Sequence, residues 1–204
     1  MSRKPQKRTH ETKARILEAA RQLTDGKPFD AVSMDAIARQ SGVAKGSLFA
    51  HFTDKNGLLS HVVAERLQAI VDDWDVAGSA RGSRLEDLLD RSMALVDLLS
   101  ADRAVLQIYL DYSGATSSNV SAPFSASLEA LENRLFSFLS HWREHGGGPF
   151  ALRTDLDVAA LASGVSAFVT TAAIYRACER IGSRAECIAL LESQFTAWLE
   201  GPMA

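Results

Sequence analysis

The chain has 204 residues, nearly half of them apolar, enough for a sizeable buried core and too many for a disordered chain. Its net charge of −3 hides an asymmetry: residues 1–60 hold eleven Lys and Arg against six Asp and Glu, and residues 61–204 hold eleven against nineteen. A basic head on an acidic body fits contact with a polyanion through the head alone, and favours nucleic acid over an acidic membrane surface. Two cysteines, Cys178 and Cys187, form neither a disulfide framework nor a zinc motif, so a reducing cytoplasm is the expected location. The polar, basic start lacks the apolar stretch of a secretory leader. No run is expected to reach the roughly 18 apolar residues that span a bilayer, so no membrane partner is assigned.

Apolar residues recur at spacings of three and four, and period-two strands are absent, so the expected class is all-α with about nine helices. Residues 1–8 form a flexible basic arm carrying Arg3, Lys4, Lys7 and Arg8. The first helix covers 9–25 and buries Ile16, Leu17, Ala20 and Leu23, until Gly26 and Pro28 stop it. Ser33 caps a second helix through Gln40 that buries Met34, Ile37 and Ala38. Ser41, Gly42 and Val43 make a tight turn into a short third helix over 44–50. A long fourth helix covers 54–76, a loop 77–83, a fifth helix 84–99 and a sixth 103–112. After a loose connection at 113–122, the seventh helix (123–145) carries one apolar stripe: Phe124, Leu128, Leu131, Leu135, Phe138 and Trp142. Gly146, Gly147 and Gly148 form a turn, followed by helices over 155–181 and 183–199.

Two short helices around a Gly-containing turn, with a supporting helix on each side, match the helix-turn-helix pattern. Ala36, Ala38 and Gly42 are small enough for the second and third helices to cross closely. Lys45, Gly46, Ser47, Phe49 and His51 bring no negative charge to the third helix, while Val43, Leu48 and Phe52 can face inward. Gly46 costs a helix roughly 1 kcal/mol relative to Ala, which makes sense where the backbone must approach phosphate. The domain division expected is 9–53 for DNA binding and 54–204 for the remainder.

The run Phe29, Ser33, Ile37-Ala38, Gly42-Val43, Lys45-Gly46-Ser47-Leu48-Phe49, His51-Phe52, Lys55 and Leu58-Leu59 resembles the TetR-family signature over roughly residues 10–60. Departures are Phe49 where Tyr is usual, Ala44 where a capping Ser is frequent, and Pro28 where Gly is common. The resemblance implies a dimeric, ligand-responsive transcriptional regulator without cofactor or enzymatic activity: a repressor released from a palindromic operator. An activator of the same fold, a helix-turn-helix protein-interaction module and a small helical enzyme are the alternatives, although no catalytic grouping stands out. It further implies that Ser33 and Lys55 hold phosphates and that Lys45, Ser47, Phe49 and His51 face the major groove, some on bases and some on backbone, with Ala44 and Gly46 completing the DNA-binding set.

Within 54–204 the resemblance implies a homodimer interface on the eighth and ninth helices and a ligand pocket among the fourth to eighth. Candidate lining residues are Trp74, Met93, Tyr109, Tyr112, Phe136, Phe168 and Tyr175, and they suit an apolar or aromatic small molecule. His141 and His145, four apart on one helix face, could chelate a metal, but a helix C-terminus favours histidine without one, and no metal is assigned.

Overall fold

The computed structural model describes residues 4–74, 83–112 and 120–201. In chain order they form α1 (Lys4–Thr24), a 3-10 turn (Phe29–Ala31), α2 (Met34–Ser41), α3 (Lys45–His51), α4 (Lys55–Asp72), α5 (Arg84–Ser100), α6 (Arg103–Tyr112), α7 (Ala122–His145), α8 (Val158–Ala177) and α9 (Arg184–Leu199). The all-helical class expected from periodicity is the fold observed. An isolated antiparallel bridge joins Leu152 to Glu200. The helix α1 starts at Lys4 rather than at residue 9: Pro5 sits in its first turn, where a missing N–H breaks no helical bond. Arg3 of the expected arm lies outside the described residues, as does most of the 77–83 loop and of the 113–122 connection.

The chain divides into two compact units. The first comprises Met1–Glu65 and Gln107–Ser125. Its core gathers Ile16, Ala19 and Ala20 of α1, Ile37 and Ala38 of α2, Leu48 of α3, then Phe52, Leu58 and Val62, with Leu17, Leu23, Met34 and Val43 packed against them. The Ser33 hydroxyl caps α2 by accepting from Ala36 N–H at 3.1 Å. Gly42 ends that helix with φ of 65°, and Val43 N–H closes onto the Ala38 carbonyl at 3.1 Å. A Cβ at Gly42 would meet no atom within 4 Å. The residue is therefore glycine for its left-handed backbone, not for the close helix crossing expected from the sequence. Asp54 caps α4 by accepting from Gly57 N–H at 2.6 Å, and Ser121 N–H donates to the Ser60 hydroxyl at 3.0 Å.

The second unit comprises Arg66–Leu106 and Ala126–Ala204, with α5, α8 and α9 packed on one another. Capping boxes set two of its helix starts, Ser83 with Glu86 at α5 and Ser183 with Glu186 at α9. Asp97 of α5 ties the group together by pairing with Arg184 at 3.2 Å and Arg176 at 3.8 Å. The pair α8 and α9 interlocks tightly: a Cβ at Gly164 would stand 2.3 Å from Trp198 Nε1, which donates to the Leu161 carbonyl. Contrary to the expectation from sequence, α8 is long and apolar enough to cross a bilayer, with a mean hydropathy of 1.7 over 18 residues. Its apolarity comes from Ala and Val with Leu161, Phe168 and Ile174, interspersed with small Gly, Ser and Thr that suit close helix packing, and a third of that window is buried within the chain.

Candidate nucleic-acid interface

The helix α3 is seven residues long, too short to be stable in isolation, so tertiary contacts must hold it. Leu48 supplies the anchor, fully enclosed in the core of the first unit. With Leu48 inward, Lys45, Gly46 and Phe49 face solvent, and Ser47 and His51 are half-buried. Phe49 is 41% exposed, one of two large apolar side chains so placed among the described residues. Ala44 occupies the N-cap position in extended conformation, and no side chain caps the first N–H groups. Those groups form the positive end of the helix. A Cβ on Gly46 would meet nothing within 4 Å. Nothing among the described residues requires glycine there.

The charged groups are arranged less simply than the sequence suggests. Lys45 Nζ lies 2.7 Å from Asp35 Oδ1, both side chains being 60% exposed. Lys55 donates to the Asp30 carbonyl at 3.2 Å, stands 3.8 Å from the Asp30 carboxylate and lies over the Phe29 ring at 5.0 Å. Each interface lysine thus has an aspartate from a preceding element beside it. Sequence reasoning missed both partners, because the pairs span ten and twenty-five residues and obey no helical period. Ser33 stays exposed at the start of α2 while its oxygen caps that helix.

Behind the interface, Lys13 of α1 donates to Nε2 of His61 on α4 at 3.3 Å, and the His61 ring meets Phe52 edge-on at 5.4 Å. Burial, with the neighbouring Lys13 charge as the second cause, lowers the His61 pKa from 6.5 to about 4. In the unfolded chain this imidazole takes up its proton at the ordinary, higher pH. Its contribution to stability is therefore complete above about pH 6.5 and drains away as pH falls from there toward 4. Thermal melts from pH 7.5 to 4.5 should show His61→Gln losing less stability on acidification than the parent; parallel curves for the two proteins would refute this assignment.

Against this geometry, residues 16–62 match the family profile described as bacterial regulatory proteins, tetR family. That stretch, under a quarter of the chain, is what resembles the TetR family at the level of sequence. The HTH-type transcriptional regulator SrpR of Pseudomonas putida is 35% identical over 74 residues, which are 36% of this chain and 35% of that protein. The chain thus matches about a third of the length of this relative. Two solved structures share the fold over nearly the whole chain. One is Thermus thermophilus FadR, a TetR-family repressor in complex with lauroyl-CoA, at a TM-score of 0.67 and 20% identity, covering 94% of this chain and 95% of that one. The other is RolR with resorcinol, at 0.67 and 16%, covering 94% and 89%.

The segment matching that profile lies within the first unit, and the seven candidate ligand residues divide between the two units. Tyr109 and Tyr112 belong to the first unit, both half-buried, with Tyr112 edge-on to Phe124 at 6.1 Å. The other five belong to the second. Trp74 and Met93 are buried; Trp74 packs edge-on to Phe138 at 6.3 Å, under the Arg91 guanidinium at 5.7 Å. Phe168 sits among Phe195 and Trp198 between α8 and α9. Tyr175 lies under Arg180 at 4.9 Å, and Phe136 is 46% exposed on α7. An open cleft of about 530 Å³ in the second unit is lined instead by Ala69, Ile70, Asp73, Asp87, Asp90, Arg91 and Ala94. The rings of His141 and His145 stack at 4.1 Å, with His145 Nδ1 3.2 Å from the His141 carbonyl oxygen, and no group of three or more metal-binding side chains occurs among the described residues.

Proposed function

We propose that the chain is a ligand-responsive transcriptional regulator that binds double-stranded DNA through α3 and acts as a repressor on a palindromic operator. The observation that carries this reading is the outward face of α3: Lys45, Gly46 and Phe49 project from a helix fixed by Leu48, beside uncapped N–H groups and a glycine without an internal reason. Ser33 and Lys55 anchor phosphates on either side, Ser47 and His51 add polar contacts, and Phe49 offers a ring edge to sugar or thymine methyl.

A homodimer through α8 and α9 presents two such helices about 34–36 Å apart, one helical turn of DNA. Support for that interface comes from the apolar character of α8, two-thirds of whose most apolar window is not buried within the chain. The effector is a small apolar or aromatic molecule, in keeping with the resorcinol of RolR and with the acyl chain, but not the charged coenzyme A part, of the lauroyl-CoA in the FadR structure. It releases DNA to the extent that it prefers one conformer of the dimer over the other.

Binding to a labelled pool of random-sequence duplexes, titrated with salt, tests the reading. Affinity should fall steeply as ionic strength rises, because each neutralised phosphate releases counterions; salt-independent binding would sink it. Gly46→Ala separates the interface from the fold in the same assay. The variant should be more stable by up to about 1 kcal/mol, since Ala is the better helix former, and should bind duplex about tenfold more weakly, as expected where a methyl holds the backbone off phosphate at a cost of about 1.4 kcal/mol.

A further inference from the structure

The carboxylate of Asp35, in the first turn of α2, lies against the ammonium of Lys45 on α3 at 2.7 Å. Neither side chain is held there by burial, for both are 60% exposed, and an exposed pair of this kind is weak and readily exchanged. Lys55 differs. It is 28% exposed and clamped by the Asp30 carbonyl and the Phe29 ring, so it cannot change partners without giving up several contacts. Of these two lysines, Lys45 is the exchangeable one.

We infer that Asp35 is a specificity-determining residue of the interface, occupying Lys45 until a duplex offers a better-placed acceptor. This inference rests on the DNA-binding reading of α3. Binding to arbitrary duplex is a sum of phosphate neutralisations. A lysine already balanced by Asp35 adds little to that sum, and the carboxylate itself repels the nearest phosphate. At a preferred sequence the competing acceptors are base-edge oxygens and nitrogens in fixed positions, and directional bonds to them draw Lys45 away from Asp35. Asp35 therefore depresses affinity for arbitrary sequence more than affinity for the preferred one. The gap between the two is the specificity.

The test uses the full chain and two probes of equal length: the duplex that the parent protein enriches from a random pool, and an unrelated duplex. Asp35→Asn should bind the unrelated duplex roughly threefold to tenfold more tightly, the size expected for one screened charge. Its affinity for the enriched duplex should change less than about twofold. Asp35→Glu, which restores the carboxylate, should restore the parent ratio. Asp25→Asn is the control, an equal change in net charge at an exposed residue in the turn after α1; it should leave the ratio alone. Equal shifts on both probes, or the same ratio change from Asp25→Asn, would overturn the role of Asp35 while leaving DNA binding intact. Failure of the parent protein to enrich any duplex would instead remove the DNA-binding reading, and this inference with it.

Discussion

Replacing Lys45 and Lys55 together by Glu is expected to cut duplex affinity by on the order of a hundredfold or more at 0.15 M salt. Two positive groups become negative, Lys45 toward base edges and Lys55 toward phosphate, and each unit charge is worth about 1 kcal/mol at 4 Å even in water, before screening. The salt dependence should flatten at the same time, by about 0.9 in the log–log slope for each phosphate that is no longer neutralised. Fluorescence anisotropy on a labelled duplex at several salt concentrations reads both quantities. Stability should change far less than affinity. The Lys45 ion pair is exposed, with both partners 60% accessible, and such pairs contribute about 0–1 kcal/mol. Lys55 carries a structural share as well, through the Asp30 carbonyl and the Phe29 ring. Lys55→Met, which keeps the stem over that ring and removes the charge, isolates the electrostatic part. An unaltered duplex affinity in the double variant would remove the interface as assigned.

The converse is expected of Leu48→Ala, where stability goes first and binding follows. Leu48 is fully buried and is the side chain that fixes α3 in the core of the first unit. Removing three buried carbons from such a site costs about 2–5 kcal/mol, the spread reflecting how far neighbours collapse into the cavity. Here the neighbours are Ile16, Ile37, Phe52 and Leu58, on α1, α2, the end of α3 and α4, and each is held by its own helix, so little collapse is available. Chemical denaturation should register the destabilisation directly. Duplex affinity should fall with it, because a seven-residue helix without its anchor has no fixed orientation to offer. A variant that denatured like the parent would show that α3 is held by something other than Leu48.

The two substitutions mark where the sequence is readable. Leu48 as an inward residue follows from spacing alone: Val43, Leu48 and Phe52 alternate with charged and small residues, and the structure buries Leu48 and Phe52 and half-buries Val43. Ser33 as a cap, the stripe along α7 and the order of the helices were legible for the same reason, since each is set within a few residues of chain. Gly42 was legible as a turn, whereas the close helix crossing also expected of it is not what its φ of 65° and open surroundings require. The partners of Lys45 and Lys55 were not legible, nor was the division of the candidate ligand residues between two units.

The sequence by itself determined the helical class, the positions of the helix-turn-helix elements and the polarity of the α3 face, because hydrogen-bonded caps and a 3.6-residue period act locally. The tertiary structure decided which charges meet. It put Asp35 against Lys45 and Asp30 against Lys55, and joined Gln107–Ser125 to the first unit. Such contacts depend on how helices cross, and crossing angles are set by the interlocking of side chains from distant segments. A pattern read along one segment does not contain that information.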